Sequence, residues 1–205
     1  MEQPTSPGTK SVNLRECMES LLRFTLRSHL DESVPSFGLD LTREFCLHLL
    51  EEDTEKGSLF QMLKEVNFEL HVQEPYFTQL KDGLKTVEGR CAVGDYMRIS
   101  SGAFLLFNKC LLLEVQDVHR YTSFSEMLKV EGLAKVLPGV ESIEEGVQVY
   151  RNFYSEEKER MNGVVAIRVA KPANQPSAAL AGVLSELKSS GIKSLLDEYT
   201  AGVTS

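Results

Sequence analysis

The chain has 205 residues, 42% of them hydrophobic and 25% charged, with a formal net charge of −8. This is the composition of a globular domain, or of one domain with an appendage, and no apolar run approaches the length of a membrane-spanning helix. The acidic balance excludes an extensive, non-specific grip on phosphate backbones, which needs many cations, but leaves room for a small basic cleft.

Residues 1–10 are polar, with Pro4 and Pro7 and no apolar core, so a disordered tail without a secretory signal is expected. Cys17, Cys46, Cys91 and Cys110 are widely spaced and read as free thiols of a reducing compartment, cytosol or nucleus. Four histidines without paired ligand spacing predict no metal site.

Asn13 with Glu16 is a capping pair, and Leu14, Met18, Leu21, Leu22, Thr25 and Leu26 follow at helical spacing to about Ser28. A second helix is expected after Asp40, with Leu41, Phe45, Leu49 and Leu50 on one face. Ser58 opens a third over 59–66. At Phe68 the period changes to 2, which predicts a first strand over 68–72. A short helix over 75–81 has Pro at its first turn, where a missing N–H costs nothing.

Asp82-Gly83 is a turn signal, since Gly reaches positive φ without steric cost. Gly-Leu-Lys-Thr-Val-Glu-Gly-Arg follows at 83–90. If extended, it points Lys85, Val87 and Gly89 one way and Thr86, Glu88 and Arg90 the other. A strand over 96–100 comes next, then an apolar hairpin, 103–107 and 110–118, around Asn108-Lys109. Ser123 and Ser142 open capping boxes, for helices over 124–136 and from 143 through Tyr154, with Leu137-Pro138-Gly139 between them. A closing strand over 163–169, a Pro/Asn/Ser linker over 172–177 and helices over 178–187 and 192–199 complete the chain. A strand-rich middle flanked by helices is an α+β pattern.

Gly-x-Lys-Thr-x-Glu-x-Arg at 83–90, after a Pro-aromatic helix, resembles the signature of the ASCH domain, a PUA-like superfamily. Val-Gly-Asp at 93–95 and the apolar strand over 163–169 resemble the family elements that follow it. The resemblance implies that the strands close into a small PUA-like β-barrel with inserted helices. It divides the chain into a tail (1–12), an N-terminal helical appendage (13–66), the ASCH domain (67–171), and a linker with C-terminal helices (172–205).

Lys85 is the first candidate for chemistry. Its amine can meet a phosphate or carbonyl oxygen, or act as a base if desolvated. Arg90 offers a planar fork and Glu88 a carboxylate, and the two can equally hold each other. Tyr150, Phe153 and Tyr154 share one helical face and pack a core or stack on a base. His119 and Tyr121, at a strand end, can hydrogen-bond a ligand, as can Thr86.

The family is proposed to bind RNA, often in connection with transcription coactivation or translation. Bacterial ASCH proteins similar in this architecture are amidohydrolases that deacetylate N4-acetylcytidine with a Lys, a Thr three positions later and a Glu from the helical region. Residue by residue, Lys85 matches the Lys and Glu131 the Glu, while Glu88 stands where that pattern has Thr. Three readings follow. One is a module binding RNA or a modified nucleoside around Lys85, Glu88 and Arg90. A second is an amidohydrolase with Lys85, Glu88 and Glu131 as catalytic groups. A third is an adaptor docking a protein through the terminal helices. None needs a cofactor or a membrane.

Overall fold

The computed structural model describes residues 14–29 and 59–186. The expected tail, the Asn13 cap, the helix after Asp40, Cys46 and the helix over 192–199 lie outside the described residues. Among those described, no helix is long and apolar enough to cross a membrane. The described residues divide into two compact units, 65–173 and, from both sides of it, 14–29 and 59–64 with 174–186.

In the second unit, helix α1 (Leu14–His29) packs on the C-terminal helix, residues 176–186. Cys17, Met18, Leu21, Leu22 and Thr25 of α1 are buried, the face its 3.6-residue period predicts. The side chains of Leu14 and Leu26 are outside the described ones. Helix α2 (Leu59–Glu65) leads directly into strand β1 (Val66–Leu70), two residues earlier than the alternation at Phe68 suggested.

The first unit is a five-stranded mixed sheet with helices. After β1 come α3 (Tyr76–Lys81), β2 (Val87–Cys91), β3 (Phe104–Phe107) and β4 (Leu111–Tyr121). Then follow α4 (Phe124–Glu131), α5 (Leu133–Val136), α6 (Ile143–Arg151), α7 (Glu156–Asn162) and β5 (Val164–Ala170), with α8 (Pro176–Glu186) in the other unit. The strand order is β1-β3-β4-β5-β2, with β1 parallel to β3 and the other pairs antiparallel.

The hairpin β3–β4 turns at Asn108 and Lys109, both at positive φ (49° and 62°), which suits the right-handed twist of the flanking strands. Asn108 also trades two 2.8 Å hydrogen bonds with the backbone of Val72. β1 and β2 end the sheet without pairing to each other. Arg90 of β2 nonetheless donates from Nη2 to the carbonyl of His71, just past β1, at 2.8 Å. The sheet therefore curls until its two edges nearly meet, and a buried side chain bridges the gap. This is how the expected small barrel is realised.

Three expectations are corrected. Residues 96–100 are not a strand, because Gly94–Arg98 coil into a 3-10 turn. The helix over 124–136 breaks at Gly132, whose φ of 91° no α-helix accommodates, into α4 and α5. The helix expected through Tyr154 stops at Arg151, and Ser155 caps a separate helix, α7, by accepting from the Lys158 N–H. The capping serines behave as expected: Ser123 and Ser142 accept from the N–H of Glu126 and Glu145, both at 3.1 Å.

The register sorts side chains onto two faces. Val87, Gly89 and Cys91 of β2 stand opposite Arg168, Ala166 and Val164 of β5. That face is covered by Phe124, Met127, Leu128, Val136, Leu137, Tyr150 and Tyr154 in one buried cluster. Glu88 and Arg90, opposite Ile167 and Val165, occupy the other face.

Candidate functional site

The signature is shaped by the end of α3. The N–H groups of Leu84 and Lys85 both donate to the carbonyl of Gln79, at 2.9 and 3.0 Å, and Gly83 makes the turn at φ 74°. Thr86 then donates to Lys135 O (3.0 Å) and accepts from Val169 N (2.9 Å). The regular strand starts only at Val87, so the strict alternation expected from Lys85 fails. The Lys85 ammonium turns toward Glu88 instead of pointing away from it.

The result is a buried row of three ionisable groups. The Lys85 ammonium lies 3.1 Å from Glu88 Oε2, and Arg90 Nε donates to Glu88 Oε1 at 2.8 Å. All three residues are less than a tenth exposed. Lys85 also donates to the carbonyls of Val87 (2.8 Å) and Val136. Arg90 Nη1 reaches the Tyr96 hydroxyl at 3.4 Å, with the guanidinium 5.5 Å from that ring's centre.

Burial drives the Lys85 amine below its usual value, with Glu88 opposing in part. Burial works to raise the Glu88 carboxyl, but Lys85 and Arg90 outweigh it and hold Glu88 below the ordinary carboxylate range. Burial likewise works against Arg90, and Glu88 outweighs it upward.

These groups form the floor of an open cleft along the free strand β2. His71, Gln73, Tyr76, Tyr150, Phe153 and Tyr154 are among its walls. Tyr150 stacks on Phe124 (centroids 4.0 Å apart, planes at 9°), and Tyr154 stacks on the same ring at 5.5 Å. Each thus gives one face to Phe124, and the walls also hold two half-buried aromatics, Phe153 and Tyr76, the latter with the Lys85 ammonium 5.9 Å from its ring centre. The Tyr150 hydroxyl crowds Gly89, where a Cβ would sit 2.4 Å from it. It makes no hydrogen bond to another described residue, and burial with the nearby Glu88 charge pushes it well above the usual tyrosine value. Burial raises Tyr154 to about 12.

The match to known proteins falls on this unit. The ASCH domain matches residues 70–173, half of the chain, and spans every residue of the cleft. The chain belongs to the ASCH domain family. Solved structures resemble it. The crystal structure of hypothetical protein PH0355 is 45% identical, over 51% of this chain and 97% of that one, with a TM-score of 0.50. The solution NMR structure of protein PF0455 from Pyrococcus furiosus is 44% identical, over 52% and 97%, with a TM-score of 0.46. No curated protein matches the chain. The ASCH family is linked to RNA binding.

The ASCH domain brings together only some of the residues singled out from the sequence. Lys85, Glu88, Arg90 and Tyr150 line the cleft. Thr86 does not, because its backbone is tied to Lys135 and Val169. Glu131, His119 and Tyr121 form a second cluster. Glu131 Oε1 takes hydrogen bonds from the Tyr121 hydroxyl (2.6 Å) and pairs with His119 Nδ1 (2.8 Å), while Oε2 accepts from Arg168 Nε at 2.7 Å. His119 Nε2 lies 2.9 Å from Asp117. Burial works to raise the Glu131 carboxyl, but these three partners hold it low.

Glu131 is therefore not brought to Lys85. The reason is register: a bulge between Val115 and Asp117 sets Asp117, His119 and Tyr121 opposite Arg168, Ala166 and Val164, on the helix-covered face. Glu88, opposite Ile167, belongs to the other.

Sequence reasoning missed Tyr76, the close approach at Gly89, and Arg168. The last had a signal, a single charge inside the apolar run Val-Val-Ala-Ile-Arg-Val-Ala.

Proposed function

We propose that this ASCH domain binds a single-stranded RNA nucleotide or a nucleoside in the cleft along β2. The observation that carries the reading is the buried Lys85–Glu88–Arg90 row beneath an aromatic-walled cleft. Ionisable groups placed where desolvation costs most, at the floor of a cleft, mark a binding site more than a stability device. Flat walls and a few fixed polar groups suit an unstacked base, which single-strand readers hold by stacking and edge hydrogen bonds. The net charge of −8 fits recognition of one nucleotide better than tracking of a long backbone.

The amidohydrolase reading drew on Lys85 with Glu131, and Glu131 is committed to His119, Tyr121 and Arg168 on the other face. The adaptor reading drew on an exposed stripe along α1, where Met18, Leu21 and Leu22 are buried.

The test is a titration of fluorescent single-stranded RNA and of nucleosides, including N4-acetylcytidine, with wild type and Lys85→Ala. The same mixtures are followed by chromatography for deacetylation. Binding that weakens at least tenfold in a folded Lys85→Ala supports the reading. Wild-type protein that binds neither RNA nor any nucleoside overturns it.

A further inference from the structure

The donors of Lys85 are spent and the acceptors of Glu88 are not. An ammonium has three N–H donors, and Lys85 places its three on Val87 O, Val136 O and Glu88 Oε2. Arg90 places three of its five N–H donors on the protein, one from each guanidinium nitrogen: Nε on Glu88, Nη1 on Tyr96 and Nη2 on His71 O. A carboxylate has about four acceptor sites, and the protein's side chains use two of Glu88's, one per oxygen. The Tyr150 hydroxyl, less than a tenth exposed, lines the same cleft without a partner among the described residues. The floor thus offers a fixed, charged acceptor beside a hydroxyl that can donate or accept. It offers no free ammonium for a phosphate.

We infer that Glu88 is the ligand-contacting group and that the cleft selects bases whose pairing edge carries an exocyclic amino group, against uracil. This rests on the proposed nucleotide reading and deepens it. Guanine, adenine and cytosine each bring N–H donors from an amino group to the Glu88 oxygens. The pairing-edge acceptor of each, O6 of guanine, N1 of adenine or N3 of cytosine, is left to the Tyr150 hydroxyl. Uracil brings one N–H between two carbonyl oxygens, so a carbonyl must face the carboxylate. A buried acceptor left unpaired, or set against another acceptor, costs more than a good hydrogen bond returns. Lys85 and Arg90 are positioning residues, since they hold the Glu88 carboxylate in one orientation and act on the base through it.

The experiment uses the full chain, with guanosine, adenosine, cytidine and uridine titrated separately by NMR shift perturbation or calorimetry. The expected result is that the three amino-bearing nucleosides bind at least about tenfold more tightly than uridine, the factor that one unpaired buried group supplies. Equal or tighter binding of uridine overturns this inference and leaves nucleotide binding in place. No binding of any nucleoside or single-stranded RNA overturns both. Glu88→Gln, whose amide both donates and accepts, is expected to bring the cytidine-to-uridine ratio near one. Lys85→Met is expected to lower the same ratio, because its route to the ligand is Glu88. A variant that unfolds, judged by its melting curve, leaves the wild-type panel as the deciding result. A folded Glu88→Gln that keeps the wild-type ratio removes Glu88 from base recognition and overturns the inference.

Discussion

Replacing Glu88 by Gln keeps the shape of the side chain and removes its charge. Lys85 and Arg90 then remain less than a tenth exposed, two cations without a counter-ion. Removing one partner of a buried ion pair costs about 3–5 kcal/mol. The Gln oxygen still accepts one hydrogen bond, so we expect the lower end, about 3 kcal/mol. At roughly 4–8 °C per kcal/mol for a unit of this size, the melting point falls by roughly 12–24 °C at pH 7.

The pH dependence carries a sign. The folded Glu88 carboxyl lies below its ordinary value. Its contribution is therefore fully present above the unfolded pKa, about 4.3, and is lost as pH falls through the folded value. Melting curves of both proteins by circular dichroism between pH 7 and 3 should converge on acidification. Lys85→Met in the Glu88→Gln background should recover part of the loss, since one orphaned charge goes with it. A Glu88→Gln protein that melts within about 3 °C of wild type at pH 7, less than about 1 kcal/mol, would refute the buried-triad account. So would a gap that stays constant with pH.

Gly89→Ala should destabilise by about 1–3 kcal/mol, because its Cβ would lie 2.4 Å from the Tyr150 hydroxyl and 2.6 Å from Met127 Cε. Met127→Ala should relieve part of this, and near-ultraviolet circular dichroism should report a disturbed Tyr150–Phe124 stack. Glu131→Gln should lower the melting point by weakening the bonds to His119, Tyr121 and Arg168, yet leave RNA and nucleoside affinity within about twofold. A large loss of affinity in a folded Glu131→Gln would join the two clusters into one site.

Much of the chain was legible because local rules acted without competition. Serines 123 and 142 cap helices where a Glu follows three residues on. Asn108-Lys109 turns a hairpin between two apolar runs. The α1 face follows from its spacing. Element ends were less legible wherever a single residue overrode a longer pattern. Gly132 cut a helix that its neighbours would have continued. Residues 96–100 looked strand-like but coil at Gly94–Arg98.

The candidate site divides along the same line. The order of residues by itself put Lys85, Glu88 and Arg90 within one short stretch after a glycine turn, and that stretch forms the floor of the cleft. It also offered Glu131, His119 and Tyr121 as further members, on chemistry alone. Which groups meet was decided by tertiary structure. The turn onto Gln79 folds Lys85 back onto Glu88, and a one-residue bulge near Gln116 commits His119 and Tyr121 to the face where Glu131 waits. The physical reason is the period of two along a strand. A bulge or turn that shifts the count by one residue moves a side chain to the other side of the sheet, and nothing local in the sequence records that shift.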